Sequence, residues 1–131
     1  MTRRPSPAIV RQMPHDIPNT RLAGSLEQVL VVEAPEALDH TAAGPMRQAV
    51  EQDLADRDDA AVVLDLSQVE LITSIGIAAL LEIREFCADR DAPLVLAGLG
   101  DEPRSMLALL RLEGKFQYAA SVDEAVGDLG G

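Results

Sequence analysis

Hydrophobic and polar positions along the chain switch between two periodicities, which indicates strands alternating with helices. Continuous apolar runs over 61–66 and 94–97 are typical of strands covered on both faces. Apolar residues at helical spacing follow these runs and predict helices over 76–90 and from Asp101 onwards. A further strand is predicted over 116–119.

The region before these elements shows the same two periodicities. Two strands, over 20–23 and 27–33, are expected to form a hairpin around Gly24-Ser25. Asp39 precedes a predicted helix, and Pro45 is expected near its first turn, where the missing N–H of proline costs least. The apolar face of this helix comprises Met46, Ala49, Val50 and Leu54.

The last predicted helix begins at a capping box, in which Ser121 accepts from an N–H three residues on and Glu124 reaches back. On the helix before it, the apolar residues Met106, Leu107 and Leu110 are expected to face inward. The order of elements predicts an α/β fold, with a mixed, mostly parallel sheet of about four to five strands and helices packed on it.

Residues 1–18 differ in composition from the rest of the chain. They contain four of the eight prolines and three arginines against one aspartate. Such a segment is typical of a flexible tail, and it is expected to contain at most a short edge strand over 9–12. We expect 1–18 to be dispensable for folding and 19–131 to form one domain.

Charge and composition restrict the partners. The net charge is −11, Lys115 is the single lysine, and aromatic residues make up 2% of the chain. This composition argues against nucleic acid and against anionic membrane surfaces. No apolar stretch is long enough for membrane insertion, so the cytoplasm is the expected location. A basic protein surface would suit the acidity, which is also an ordinary means of staying soluble.

The residues that usually carry catalysis or bind metals are scattered. Cys87 is alone, which excludes an internal disulfide and a zinc-binding spacing, and it lies on the apolar face of a predicted helix. His15 and His40 are far apart, and Asp65 has no second ligand at a recognisable spacing. The sequence at 98–100 fits an ordinary turn between strand and helix. We therefore predict no enzymatic activity, no metal and no cofactor.

The most informative stretch covers residues 62–79. A buried strand ends in Asp65-Leu66-Ser67, and a short amphipathic segment then leads to Thr73 and Ser74 at the predicted start of a helix. A helix N-terminus has unpaired N–H groups and a partial positive charge. It suits a hydroxyl that caps the helix, and equally one that is modified to a phosphate. Both roles are open for Ser74 at this point.

Residues 65–77 carry the pattern D-L-S-x-V-x-x-I-x-S-x-G-I. This pattern resembles the signature of STAS domains, the family of anti-sigma-factor antagonists and of the soluble domains of sulfate transporters. Residues 36–39, with Thr41 and Pro45 downstream, are similar to the family's G-E-L-D segment and the T-A-x-P that follows it. Residues 109–116 and 121–125 also follow the family pattern, and the resemblance covers about 20–128.

In the antagonists that this chain resembles, the first serine of D-S-S-G is phosphorylated by a partner anti-sigma kinase. Alignment on Gly76 assigns that position to Ser74. Thr73 takes the place of the acidic residue or first serine, Ile75 is bulkier than the usual serine or alanine, and Pro35 lies near a usual glycine.

The resemblance implies an anti-sigma-factor antagonist, a signalling phosphoprotein that regulates transcription by binding an anti-sigma kinase or another Ser/Thr kinase through this helix start. The expected partner contacts, besides Ser74, are Thr73, Ile75, Gly76, Ile77 and Asp39. An alternative is a non-catalytic STAS subunit of a transporter or of a stressosome-like scaffold, and a homodimer is left open. A small enzyme or nucleotide-binding protein is disfavoured because the chain has no phosphate-binding fingerprint.

Overall fold

The computed structural model describes residues 9–13, 28–55, 57 and 60–130. The strands in these residues are β1 (Ile9–Met13), β2 (Gln28–Glu33), β3 (Ala37–Leu38), β4 (Ala60–Asp65), β5 (Leu71–Ile72), β6 (Leu94–Ala97) and β7 (Gln117–Ala119). The helices are α1 (His40–Ala55), α2 (Ser74–Asp89), α3 (Asp101–Leu109) and α4 (Val122–Gly130), with a 3₁₀ turn at Glu113–Lys115. Among the helices described, none is long and apolar enough to cross a membrane.

The main sheet has the strand order β1-β2-β4-β6-β7. Strand β1 runs antiparallel to β2, and every other neighbouring pair in this sheet is parallel. Strands β3 and β5 form a separate parallel pair. The α/β fold with a mostly parallel sheet, predicted from the alternation of elements, is therefore confirmed.

Helices cover the main sheet on both faces, which explains the uninterrupted apolar runs of the central strands. On one face, Leu30, Val62 and Leu96 lie in a core that also includes buried apolar side chains of α1, α2 and α3. On the other face, Val31 and Val63 pack with Ala125 of α4. Alternate residues of a strand point to opposite faces, so β2, β4 and β6 each contribute to both cores.

Several local predictions are confirmed and others need adjustment. An edge strand predicted over 9–12 is present as β1, and the serine half of the capping box at the start of α4 forms, with Ser121 Oγ accepting from Glu124 N at 3.1 Å. Glu124 Oε1 accepts in turn from the N–H of Ala120 at 3.1 Å. Pro45 lies beyond the first turn, because α1 begins at His40. The strand predicted over 20–23 lies outside the described residues.

The inward orientation predicted for Met106 and Leu110 is wrong. Both side chains are exposed, whereas Leu107 is fully buried. The buried residues of α3 are Pro103 and Leu107, which are four positions apart and lie on the same side of the helix. Only a single narrow stripe of this short helix therefore packs against the core. Apolar residues beside that stripe are left at the surface.

Candidate functional site

Thr73 caps the N-terminus of α2. Its backbone is extended (φ −95°, ψ 174°), and its Oγ1 accepts a hydrogen bond from Gly76 N at 3.3 Å. The Thr73 carbonyl accepts from Ile77 N at 2.9 Å, which begins the helical hydrogen-bond pattern. The helix therefore starts at Ser74. The sequence pattern had predicted a start two residues later, at Gly76. The capping role that was open for Ser74 is therefore excluded, and Ser74 is the exposed first residue of α2.

The start of α2 is fastened to the segment that precedes α1. Thr73 N donates to the Leu38 carbonyl at 3.1 Å, and Thr73 Oγ1 donates to the same oxygen at 3.4 Å. Two residues before Leu38, the Glu36 carbonyl accepts from Glu70 N at 2.8 Å and from Leu71 N at 3.2 Å. These bonds accompany the β3–β5 pairing and hold the site on the backbone of two segments.

Gly76 allows the first turn of α2 to approach β3 closely. A Cβ atom at this position would lie 2.2 Å from the Leu38 carbonyl oxygen, well inside van der Waals contact. Gly76 is accordingly buried, and Ile77 beside it is only 6% exposed and belongs to the core. Packing against β3 and the core covers both residues, and the contact with a partner expected of them stays a prediction.

Asp39 stands beside this helix start because of the β3–β5 register. Leu38 pairs with Ile72, so Asp39 and Thr73 are the residues that follow two paired strands. Asp39 Oδ1 accepts from Thr41 Oγ1 at 2.7 Å and from Thr41 N at 3.0 Å. The carboxylate therefore pairs with an N–H group in the first turn of α1. These hydrogen bonds, that from the Thr41 hydroxyl foremost, hold the pKa of Asp39 below its ordinary value and keep it ionised at neutral pH.

The resulting surface combines three kinds of group. Ser74 offers a hydroxyl, Ile75 is 52% exposed and offers an apolar side chain, and the half-buried Asp39 offers a negative charge. Of the predicted partner contacts, the structure brings Thr73, Ile75 and Asp39 together with Ser74 around two adjacent helix starts. Such a surface suits recognition by another protein.

Asp65 and Cys87, two of the candidate catalytic or metal-binding residues, have structural roles, whereas His15 lies outside the described residues. Asp65 Oδ1 accepts from Ser67 Oγ at 2.7 Å and from Ser67 N at 3.1 Å, which closes the turn after β4. Cys87 is buried, and burial raises the pKa of its thiol to about 12, so it is protonated at neutral pH. Across the described residues, no group of three His, Cys, Asp or Glu side chains is placed to hold a metal ion.

An apolar surface groove that the sequence did not predict lies next to this site. The groove has a volume of about 320 Å³ and lies between β5 and α3. We call it the α3 groove, and the residues that line it include Leu71, Met106, Leu109, Glu70, Glu102 and Ser105. The signal in the sequence was the run of 106–110, which has more apolar residues than one helix face needs.

The fold and the exposed helix start define a class, that of small mixed α/β domains that present the N-terminus of a central helix. The chain belongs to the STAS family, because the family model described as "STAS domain" matches residues 22–125. No curated protein matches the chain in sequence.

Solved structures of this family share the fold with the chain. An anti-sigma factor antagonist from Mycobacterium paratuberculosis is 23% identical, with 93% of each chain covered and a TM-score of 0.66. The anti-sigma factor antagonist SpoIIAA in its unphosphorylated form is 15% identical, with 77% of this chain and 87% of that one covered and a TM-score of 0.67. A sulfate transporter family protein from Wolinella succinogenes is 20% identical, with 77% and 84% covered and a TM-score of 0.60. These likenesses establish the shared fold.

Proposed function

We propose that the protein is an anti-sigma-factor antagonist that binds an anti-sigma kinase through the start of α2 and is switched by phosphorylation of Ser74. One observation carries the proposal. Thr73 caps α2, so the Ser74 hydroxyl lies exposed at the helix N-terminus without being needed as the cap. The solved antagonist SpoIIAA, which has an unphosphorylated form, supports the same role by analogy of fold.

The position suits a charge switch that leaves the fold intact. A phosphate on Ser74 would add about −1.5 to −2 charges at neutral pH. The backbone N–H groups and the dipole of α2 favour a negative charge at this end of the helix. A partner docked over Ser74 and Ile75 would instead meet a new, strongly hydrated charge, beside the negative charge of Asp39. Binding is therefore expected to respond to phosphorylation while folding does not.

The test is calorimetric titration of the partner kinase into wild type, Ser74→Ala and Ser74→Glu, after the partner has been identified by pull-down and mass spectrometry that also searches for phospho-Ser74. We expect Ser74→Ala to bind as wild type does. We expect Ser74→Glu to bind about tenfold to a hundredfold more weakly, a loss of about 1.4–2.8 kcal/mol.

The matched control is Ala88→Glu, which adds the same charge to an exposed position near the other end of α2. It should leave affinity for the kinase unchanged, and thermal melts of each variant should show that all remain folded. Equal affinities for wild type, Ser74→Ala and Ser74→Glu would reject the switch. A Ser74→Glu variant that loses binding only because it unfolds would also reject it.

A second candidate function is that of a STAS subunit in a transporter or stressosome-like assembly. It is favoured by Thr73, which stands where the antagonists have an acidic residue or a serine, and by the shared fold of the sulfate transporter family protein. Neighbouring genes distinguish the two candidates: a sigma factor and a kinase support the first, and a permease and an ATPase support the second.

In either role we propose that the protein acts in the cytoplasm through protein contacts and has no catalytic activity of its own. The structural roles of Asp65 and Cys87 support this proposal. Turnover of ATP, GTP or a phosphoester by the purified protein, abolished by a point substitution in this chain, would contradict it.

A further inference from the structure

The α3 groove exposes more apolar surface than the fold requires. Leu71 is 53% exposed on the β5 side, and Leu109 is 79% exposed on the α3 side. Met106, also exposed, lies one helical turn before Leu109 and lines the same groove. Large apolar side chains gathered around a cavity mark a surface that another molecule covers.

The charges at the groove are all of one sign. Glu70 lines it beside β5, Glu102 lines it in the first turn of α3, and no basic side chain is among the lining residues. Arg104 lies on α3, but its guanidinium pairs with Glu113, with Nε 2.7 Å from Oε2. The same guanidinium lies over the Tyr118 ring, 4.1 Å from the ring centroid. The groove is thus an apolar slot with acidic sides.

This charge pattern discriminates between occupants. A second copy of the chain would bring further acidic groups against Glu70 and Glu102, in a protein whose net charge is already −11. Like charges brought together at an interface oppose association, whereas Lys or Arg side chains would complement both carboxylates. A basic partner segment with apolar anchors satisfies both the shape and the charge of the groove.

We propose that the α3 groove is a second docking surface, which takes a basic segment of the partner protein with apolar side chains seated between Leu71, Met106 and Leu109. This inference rests on the proposed function, since it assigns a further part of the partner interface. Leu71 lies three residues before Ser74, so one partner can engage the groove and the helix start together. The groove supplies affinity and Ser74 supplies the switch.

The experiment measures binding of fluorescent synthetic peptides to the full chain by anisotropy. The probe is an amphipathic peptide of leucine and lysine, and its controls replace the leucines by serine or the lysines by glutamate. We expect only the leucine–lysine peptide to bind. Leu109→Gln should weaken its binding by about tenfold or more, whereas Leu110→Gln should change it by less than about twofold. Leu110 is the matched control, because it is 51% exposed near Leu109 but does not line the groove.

A charge reversal isolates the electrostatic contribution. Glu102→Lys should weaken binding about threefold or more beyond the effect of Glu85→Lys, an equal change in net charge at an exposed position on α2. The proposal is overturned if the serine-containing peptide binds as tightly as the leucine-containing one, if Leu110→Gln is as damaging as Leu109→Gln, or if the two lysine variants weaken binding equally.

A last variant separates this proposal from the proposed function. Ser74→Glu should leave affinity for the peptide within about twofold of wild type, because a peptide confined to the groove does not cover the helix start. If the peptide results hold but Ser74→Glu leaves kinase binding unaffected, the phosphorylation switch fails and the docking groove stands. If Ser74→Glu weakens kinase binding while the peptide results fail, the switch stands and the groove proposal is rejected.

Discussion

Thr73 and Ser74 are adjacent hydroxyl residues with different structural roles. Thr73 caps α2 and also donates to the Leu38 carbonyl, so it links the helix start to β3. Ser74 is exposed, and it is not the residue that caps α2. The residue that stabilises the site and the residue proposed to regulate it are therefore distinct, and mutation can address each separately.

We predict that Thr73→Ala lowers the free energy of unfolding by about 1 kcal/mol or more, because α2 loses its N-cap. Ser74→Ala should lower it by less than about 0.5 kcal/mol, as expected of an exposed residue. Urea unfolding of both variants measures the difference, and Thr73→Ser, which keeps the capping oxygen, is the control. Equal losses for Thr73→Ala and Ser74→Ala would contradict the assignment of the cap.

Gly76 gives a second prediction for single residues. Gly76→Ala should destabilise the fold by about 2 kcal/mol or more, because its Cβ must displace the backbone of Leu38 rather than a flexible side chain. Gly44→Ala is the control, since it lies inside α1 with open space around the added methyl, and it should stabilise by about 0.5–1 kcal/mol. Chemical denaturation reports both changes. A neutral Gly76→Ala would mean that α2 does not approach β3 this closely.

At the scale of elements, α2 and α3 end in the same way. After α3, Arg111 N donates to Ala108 O at 3.0 Å and Leu112 N to Leu107 O at 2.8 Å, with Arg111 at φ 62°. After α2, Asp91 takes the equivalent place at φ 55°. Both ends are Schellman motifs, in which glycine is the usual left-handed residue. Neither end is marked by glycine in the sequence.

We therefore predict that Arg111→Gly raises the free energy of unfolding by about 0.5–1 kcal/mol, because glycine adopts a positive φ without strain. Asp91→Gly should gain less, since aspartate tolerates the left-handed region better than arginine does. Thermal melts of the two variants give the comparison. If Arg111→Gly is destabilising, the side chain contributes more than its backbone conformation costs.

The central elements were predictable from sequence because one local signal determines each. Strand β6 is a short apolar run, and α2 is a long periodic segment, so neither needs information from elsewhere in the chain. The two-residue strands β3 and β5 were not predictable, since they form only through each other. The start of α2 was misjudged although its N-cap, Thr73, is a local signal. The exposure of Met106 was misjudged because the buried stripe of α3 is narrow, and its width depends on packing with distant residues.

At the scale of the whole molecule, charge and composition favour a kind of partner but do not locate the proposed docking surface. The net charge of −11 would suit a basic protein surface and is also an ordinary means of staying soluble. The α3 groove, in contrast, exists only because folding brings β5 beside α3, about thirty residues apart in sequence. A site made from distant segments leaves no contiguous motif.

Residues 1–18 also affect the stability of the whole molecule through β1, the part of this segment that the structure describes. Strand β1 occupies the edge of the main sheet and pairs antiparallel with β2. We predict that deletion of 1–18 leaves the remaining chain folded and lowers its unfolding midpoint by less than about 10 °C, because one short edge strand is lost while both apolar cores remain. Circular dichroism melts of the two chains test this. A loss of several tens of degrees would show that the segment is an integral part of the domain.

The direction of β1 has a practical consequence for how the protein is handled. Ile9 pairs with Glu33, which is level with Asp65 and Ala97, so β1 begins beside the carboxyl ends of the parallel strands β2, β4 and β6. Asp39 and Ser74 follow strands β3 and β5, and we expect an affinity tag or fluorophore joined on the N-terminal side of β1 to interfere with partner binding there more than one joined after α4. The far end of α4 packs on the opposite face of the sheet. Immobilisation through the C-terminal side will keep the helix starts open in sensor and pull-down experiments.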